Sequence, residues 1–365
     1  MVEWKKLGDV CTFNRGRTIT AKDAVDGGIP VIAGGQTPSY YHNESNREGE
    51  SITVAGSGAY AGFVSYWNQS IFVSDAFTVD PSDVLTHKYL FHWLKKNQTN
   101  VFATQKGAGV PHVHGKDIAN FIIPIPSLEE QTRIAGILDT FTSAIDNLKE
   151  QIAQRRKQYE YYRDQLLDLE GKEDIIVPFG DICEMMKGDG VQKADFADEG
   201  IGCIHYGQIY THYGSFTFTT NKYVSREVFN KAKKASKGDL VMTDTSENVE
   251  DICKTVAYLG EDDIAVSNHA LIIKHKQNPK FLSYSTLTRS FFVQKRKYVV
   301  GVKVSGIKPD DLAKIKIFLP SIEEQNRIVS ILDTFEASIQ NLESQLKERE
   351  KQYEYYRNKL LTFER

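Results

Sequence analysis

The sequence predicts an α+β protein built by internal duplication. Two β-rich α+β domains are separated by two long helices that pair antiparallel as an intramolecular coiled coil, a pseudo-two-fold plan. Three observations predict this. A chain of 365 residues is ample for two cores of ordinary size. Residues 126–167 and 320–361 align without a gap and are identical at 26 of 42 positions. The segments before them share only short landmarks, and both are textured as brief β-like runs between Gly, Asn, Asp and Ser.

The first domain, 1–125, opens with "KLGDVCTF" and carries strand-like runs such as "ESITVAG", "AGFVSYW" and "SIFVSDAFTV". A helical passage, "THKYLFHWLKKN" (86–97), interrupts it. The first long helix, 126–169, starts at a capping box of Ser127 and Glu130, the hydroxyl accepting from an early helical N–H and the carboxylate reaching back. Its apolar and aromatic positions then advance by alternating steps of four and three: Ile134, Leu138, Phe141, Ile145, Leu148, Ile152, Arg155, Tyr159, Tyr162, Leu166 and Leu169.

The second domain, 170–319, opens with the junction "EGKEDIIVP" (170–178). Its "PFGDICEM" and "GIGCIHYGQ" match the earlier "KLGDVCTF" and "GIPVIAGGQ" at an offset of 172 residues, and "PKFLSYSTLTRSFFVQKRK" (279–297) stands where the first domain has its helix. The second long helix, 320–365, repeats the capping box at Ser321 and Glu324 and the seam from Ile328 to Phe363. Each seam covers about 35 residues, a rod of about 50 Å. Neither helix can bury such a stripe alone. Pairing within the chain is the economical arrangement; self-association or a partner protein would also cover the stripe. Arg155 and Arg349 interrupt both seams at one heptad position, either setting alignment or lying along the seam with exposed heads.

Composition places the chain among soluble cytoplasmic proteins: 41% hydrophobic, 25% charged, with no run approaching the roughly 20 apolar residues of a membrane span and no signal-peptide core at the start. The four cysteines (Cys11, Cys183, Cys203, Cys253) form no C-x-x-C pair and read as buried small hydrophobes. The net charge of −3 hides a neutral first domain and acidic helices, at −3 over 126–170 and −2 over 320–365.

No catalytic motif survives scrutiny. "GSGAYA" (56–61) is followed by a β-like run rather than the helix a dinucleotide fingerprint needs. "GVPHVHGK" (109–116) has the wrong glycine spacing for a P-loop, with Asp117 where Ser or Thr should ligate magnesium. His112 and His114 alternate as strand neighbours could, but lack a third metal ligand of suitable spacing. The expectation is no catalytic and no metal site.

The Pro-Ser-x-Glu-Glu-Gln helix entries (126–131, 320–325), the "ILDTF" cores (137–141, 331–335), the "KQYEYYR" ends (157–163, 351–357) and openings such as "LGDV" closely resemble the specificity subunit of type I restriction-modification enzymes, over essentially the whole chain. The resemblance implies a non-catalytic DNA-binding subunit. Each domain would be a target recognition domain reading one half of a bipartite double-stranded DNA target, while the helices space the halves and dock two methylation subunits. Restriction and translocase subunits would join through the complex. S-adenosylmethionine, ATP and magnesium would serve those partners, with no cofactor in this chain. Acidic helices suit protein contact, and DNA would meet local patches of the domains. Candidates in the first domain are Arg15, Arg17, Gln36, Tyr40, Tyr41, Lys106 and His112. In the second they are Lys187, Lys193, Tyr206, Gln208, Tyr210, Lys233, Lys234, Lys237 and Lys303. Arg and Gln can contact base edges in pairs, whereas Lys chiefly holds phosphate. A duplicated scaffold that binds two proteins and no DNA is the competing class.

Overall fold

The structure, a computed structural model, describes residues 2–172, 175–301 and 305–364. The chain forms two compact units, one of residues 1–150 with 343–365 and the other of residues 151–342. Each unit therefore owns one stretch of each long helix.

In the first unit a four-stranded antiparallel sheet runs in the order Cys11–Arg15, Ala76–Pro81, Glu50–Ala55, Val64–Asn68. A smaller sheet places Ile29–Ile32 between antiparallel Tyr40–His42 and parallel Phe72–Val73. Glu3–Lys6 pairs with Ile122–Ile125. Helix His87–Lys96 begins where Thr86 Oγ1 accepts from Tyr89 N. It buries Tyr89, Leu90, Trp93 and Leu94 against Ile52, Val54 and Val64 of the larger sheet. Each such side chain contributes about 1.5–3 kcal/mol of burial.

The second unit repeats this plan. Its larger sheet runs Cys183–Lys187, Ala270–His275, Leu240–Thr243, Thr255–Tyr258, with Phe216–Thr217 added at the edge. Its smaller sheet is Lys222–Val224, Ile201–Ile204, Ile264–Val266, Lys233–Ala235. The passage at 279–297 forms two helices, Pro279–Ser285 and Arg289–Lys295. Within the junction read from sequence, Ile176–Pro178 is a strand paired with Lys316–Phe318, the counterpart of Glu3–Lys6 with Ile122–Ile125.

The long helices are Leu128–Leu167 and Ile322–Leu360, so Leu169 and Phe363 of the expected seam lie beyond them. In the first unit Phe141 stacks on Tyr356, with centroids 5.1 Å apart, under the Arg349 guanidinium at 5.8 Å. Ile134 and Leu138 share a core with Leu361. As one stretch advances the other retreats, which is antiparallel pairing. The second unit holds the mirror set: Phe335 stacks on Tyr162 at 5.4 Å under Arg155 at 5.9 Å, and Leu167 packs with Ile328 and Leu332. The two arginines thus pack their planar heads on the seam phenylalanines.

The capping boxes form only in half. Ser127 and Ser321 Oγ accept from Glu130 N and Glu324 N at 3.3 Å, as expected. The carboxylates turn instead to Arg133 and Arg327 one turn ahead, each as a two-pronged ion pair at 2.6–2.7 Å. A charged two-point contact outcompetes the single bond back to the cap.

Candidate nucleic-acid interface

Both units carry one repeated frame where the long helix meets the short one. Gln131 is fully buried: its amide donates to Val84 O at 2.8 Å and Pro126 O at 3.0 Å and accepts from Thr86 N at 2.9 Å, tying the long helix to the start of the short one. Gln325 does the same with Gln277 Oε1, Pro320 O and Asn278 N. About two turns along, Asp139 Oδ1 lies 2.8 Å from His92 Nε2, and its other oxygen takes Lys88. Burial alone would raise the Asp139 carboxyl, but His92 and Lys88 together outweigh it and hold it below the usual range. Asp333 takes Tyr284 OH at 2.7 Å and Lys280 Nζ at 2.8 Å. The first tyrosine of each YEYYR completes the set: Tyr353 stands beside His92, and Tyr159 packs edge-on to Tyr284.

On this frame the first unit opens a cleft of about 390 Å³ at one corner of its larger sheet. Arg15 ends a strand there, and Gly16 follows because a Cβ would lie 2.3 Å from Ser74 O. Residues 106–112 fold back on themselves, Lys106 and His112 exchanging both backbone hydrogen bonds at 2.8–2.9 Å. His112 and His114 stack with rings 6.3 Å apart and nearly parallel. Phe13, Arg15, Asp75, His112, His114 and Lys116 line the cleft. Asp75 accepts from the Ser57 hydroxyl, and Arg15 and Lys116 bring cations to the lining.

Of the first-domain candidates, Arg15 and His112 meet in this cleft. Lys106 sits beside it and pairs with Asp117 at 2.5 Å, which lowers that carboxyl. Arg17 stands over the Phe72 ring at 5.0 Å and 3.4 Å from Glu44. Tyr41 and Gln36 are exposed, whereas Tyr40 is half-buried and donates to Ile19 O at 2.6 Å. His114 and Lys116 were not among the candidates, although both lie in "PHVHGK"; Arg47, which donates to Asn14 O and Asn46 O behind the Arg15 strand, left no sequence signal.

The second unit opens a cleft of about 440 Å³ on different segments, sharing with the first the entry to the matched strand, where His269 stands for Asp75. Lys187 ends the matching strand and pairs with Asp244 at 3.2 Å, and Gly188 follows under the same constraint, 2.3 Å from Ser267 O. Tyr206 and Tyr210, on helix Tyr206–Thr211, wall the cleft with Thr245, Ser246, Glu247, Asn248, Asp251 and His269. His269 adopts a left-handed backbone at φ 63 and presents its ring edge-on to Tyr206 at 5.3 Å. Tyr210 donates to Thr245 O.

The remaining candidates scatter. Gln208 is buried, its amide donating to Asn221 and accepting from His205 N, so it serves the start of its helix. Lys193 is exposed on a short turn. Lys233 and Lys234 lie on an edge strand, Lys234 over the Phe229 ring at 4.9 Å, and Lys237 pairs with Glu261. Lys303 lies outside the described residues. Among the described residues no three His, Cys, Asp or Glu side chains group as a metal site, and no helix is long and apolar enough to cross a membrane. Burial pushes all four thiols up to about 12.

The sequence profile of the type I restriction modification DNA specificity domain matches residues 1–155 and again 175–350, the two halves of the repeat. This chain belongs to that family. Among specificity subunits it is similar to a putative type I restriction enzyme specificity subunit of Haemophilus influenzae, 28% identical over 99% of this chain and 96% of that one. A type I restriction enzyme specificity subunit of Escherichia coli is 27% identical over 99% and 94%. The crystal structure of a type I restriction-modification S subunit from M. genitalium shares the fold with a TM-score of 0.66 at 16% identity, covering 100% of this chain and 97% of that one.

Proposed function

We propose that this chain is the DNA specificity subunit of a type I restriction-modification system, each globular unit reading one half of a bipartite duplex target. The long helices set the gap between halves and dock two methylation subunits, and restriction and translocase subunits join through that complex. The chain supplies recognition and no catalysis. S-adenosylmethionine serves the methylation subunits, while ATP and magnesium serve the translocase.

One observation carries this reading. The same fold occurs twice on a constant frame (Gly16 and Gly188, Gln131 and Gln325, Asp139 and Asp333), yet each copy opens its cleft on different segments: the Arg15 strand end and residues 112–116 in one unit, helix Tyr206–Thr211 and residues 245–251 in the other, with Asp75 and His269 at matching strand entries. Side chains that differ on an unvarying scaffold are what reading two different half-sites requires. Helix docking has separate support. Exposed Lys157, Gln158, Glu160, Tyr161 and Tyr162 are identical to Lys351, Gln352, Glu354, Tyr355 and Tyr356, whereas of the exposed positions 149, 150, 151, 153, 154 and 156 five differ from their counterparts and Gln151 matches. One surface presented twice suits two copies of one partner.

The test is an exchange of residues 1–125 for the matching part of another specificity subunit, read by sequencing methylated sites in the host. One half of the recognised sequence should change and the other persist; simultaneous change of both halves would overturn independent reading. DNA binding should weaken steeply with salt, whereas salt-insensitive assembly without DNA retention would favour the protein scaffold.

A further inference from the structure

The loop that walls the second cleft, residues 244–254, is held from behind by a charge. Lys295, at the end of helix Arg289–Lys295, is 4% exposed and donates its ammonium to Glu250 O at 2.9 Å and to Ile252 O. Between them, Asp251 O accepts from Thr243 Oγ1 at 3.0 Å, so three successive carbonyls are pinned. Asn248 closes the loop on itself, accepting from Asp251 N and donating to Asp251 Oδ2, both at 2.8 Å. Cys253 turns the chain back at φ 64. The same loop brings Ser246, Glu247, Asn248 and Asp251 to the cleft.

The first unit holds the carbonyls of its matching loop, residues 56–63, with amides, Gln98 donating to Gly62 O at 2.7 Å and Gln105 to Ala61 O at 2.8 Å, while the Lys95 ammonium lies over the Phe63 ring at 4.4 Å and reaches Val64 O just beyond the loop at 3.4 Å. Its loop is shorter. Burying an ammonium in place of an amide is costly, and burial alone depresses the Lys295 pKa. What the charge adds is stronger bonds to carbonyls on a longer loop that would otherwise sample several shapes.

We infer that Lys295 is a positioning residue for sequence discrimination by the second unit, fixing from the rear the loop whose front meets DNA. This rests on the proposal that each unit reads one half-site. The same face of the fold performs the same task in the first unit through Gln98 and Gln105. A residue that touches no base thereby shapes which bases are accepted.

The test uses the chain assembled with its methylation partners and a plasmid library of matched and singly substituted targets. Lys295→Met should lower the matched-to-mismatched methylation ratio about tenfold at the half-site read by the second unit and leave the other half-site within about twofold. Lys295→Arg, which keeps the charge, should retain most of the discrimination. Thermal melting confirms that the variant is folded; if Lys295→Met does not fold, Lys295→Gln, copying the first unit's amides, is read in the same way. A folded variant whose two ratios fall together, or do not move, would overturn the inference while leaving the two-half reading intact. If exchange of residues 1–125 produces no separable half-sites, that reading fails first.

Discussion

At the scale of single residues, the repeated buried side chains matter most. Gln131 satisfies one N–H and two carbonyls at the meeting of two helix starts. Leaving buried polar groups unpaired costs about 1–3 kcal/mol each, partly recovered by water, so Gln131→Ala should destabilise the first unit by about 2–4 kcal/mol, measured by thermal or urea unfolding. A change under 1 kcal/mol would mean the amide is replaceable. Two carboxyls carry opposite pH signatures. Burial, aided by Asp333, pushes Glu336 above the ordinary glutamate range despite hydroxyls donated by Ser215 at 3.0 Å and Tyr159 at 3.3 Å. The folded chain thus keeps this proton longer than the unfolded one: the stability it contributes is complete below the ordinary glutamate value and is lost as pH rises through the folded value. For Asp139, held low, stability is present above the ordinary aspartate value and is lost as pH falls. Glu336→Gln should therefore melt increasingly above the wild type as pH rises from about 4.5 towards 8. A constant difference across that range would show that Glu336 does not titrate there.

At the scale of elements, the YEYYR pentapeptide divides its labour by helical position. Tyr159 and Tyr353 point into the units, Tyr162 and Tyr356 stack on Phe335 and Phe141, and Tyr161 and Tyr355 remain 60% and 59% exposed. Phe335→Ala removes the partner of both Tyr162 and Arg155 and should cost about 2–3 kcal/mol. Tyr161→Ala and Tyr355→Ala should alter stability by less than about 0.5 kcal/mol, since each ring stands mostly in solvent and meets Tyr162 or Tyr356 only edge-on. Under the docking proposal, the same two variants should nonetheless weaken capture of a methylation subunit. Calorimetric melting and pull-down of that partner separate the two effects, and full retention of the partner by the double variant would remove the tyrosines from the docking face.

At the scale of the molecule, the prediction concerns the gap between half-sites. One heptad added between Ile152 and Tyr159 and one between Leu346 and Tyr353 keeps the apolar register of both helices and lengthens each by about 10 Å. With the helices proposed to set the gap, the methylated target should keep both halves and widen its spacer by about three base pairs of 3.4 Å each. Methylation confined to the original spacing would show that another element sets the distance. The readout is the methylated sequence rather than affinity, because added twist weakens binding without altering which spacing is preferred.

The sequence alone determined the duplication, the two long helices and their heptad register, and the β-rich texture of both domains, because period and repeat are local properties of the chain. It also offered Arg15, His112, Tyr206 and Tyr210 as candidates, which the fold places at clefts, the two tyrosines on a helix rather than a loop. It did not determine that Glu130 and Glu324 turn to Arg133 and Arg327, since a capping carboxylate chooses among neighbours by geometry. Nor did it separate Tyr206 in a cleft from Gln208 two residues later in the interior, because one turn of helix decides which side faces the core. The pairing of Asp139 with His92 and of Asp333 with Tyr284, and the reach of Lys295 to Glu250 and Ile252, join residues more than 40 positions apart. Only tertiary packing brings such groups together, because burial forces each polar atom to find a partner wherever the fold places one.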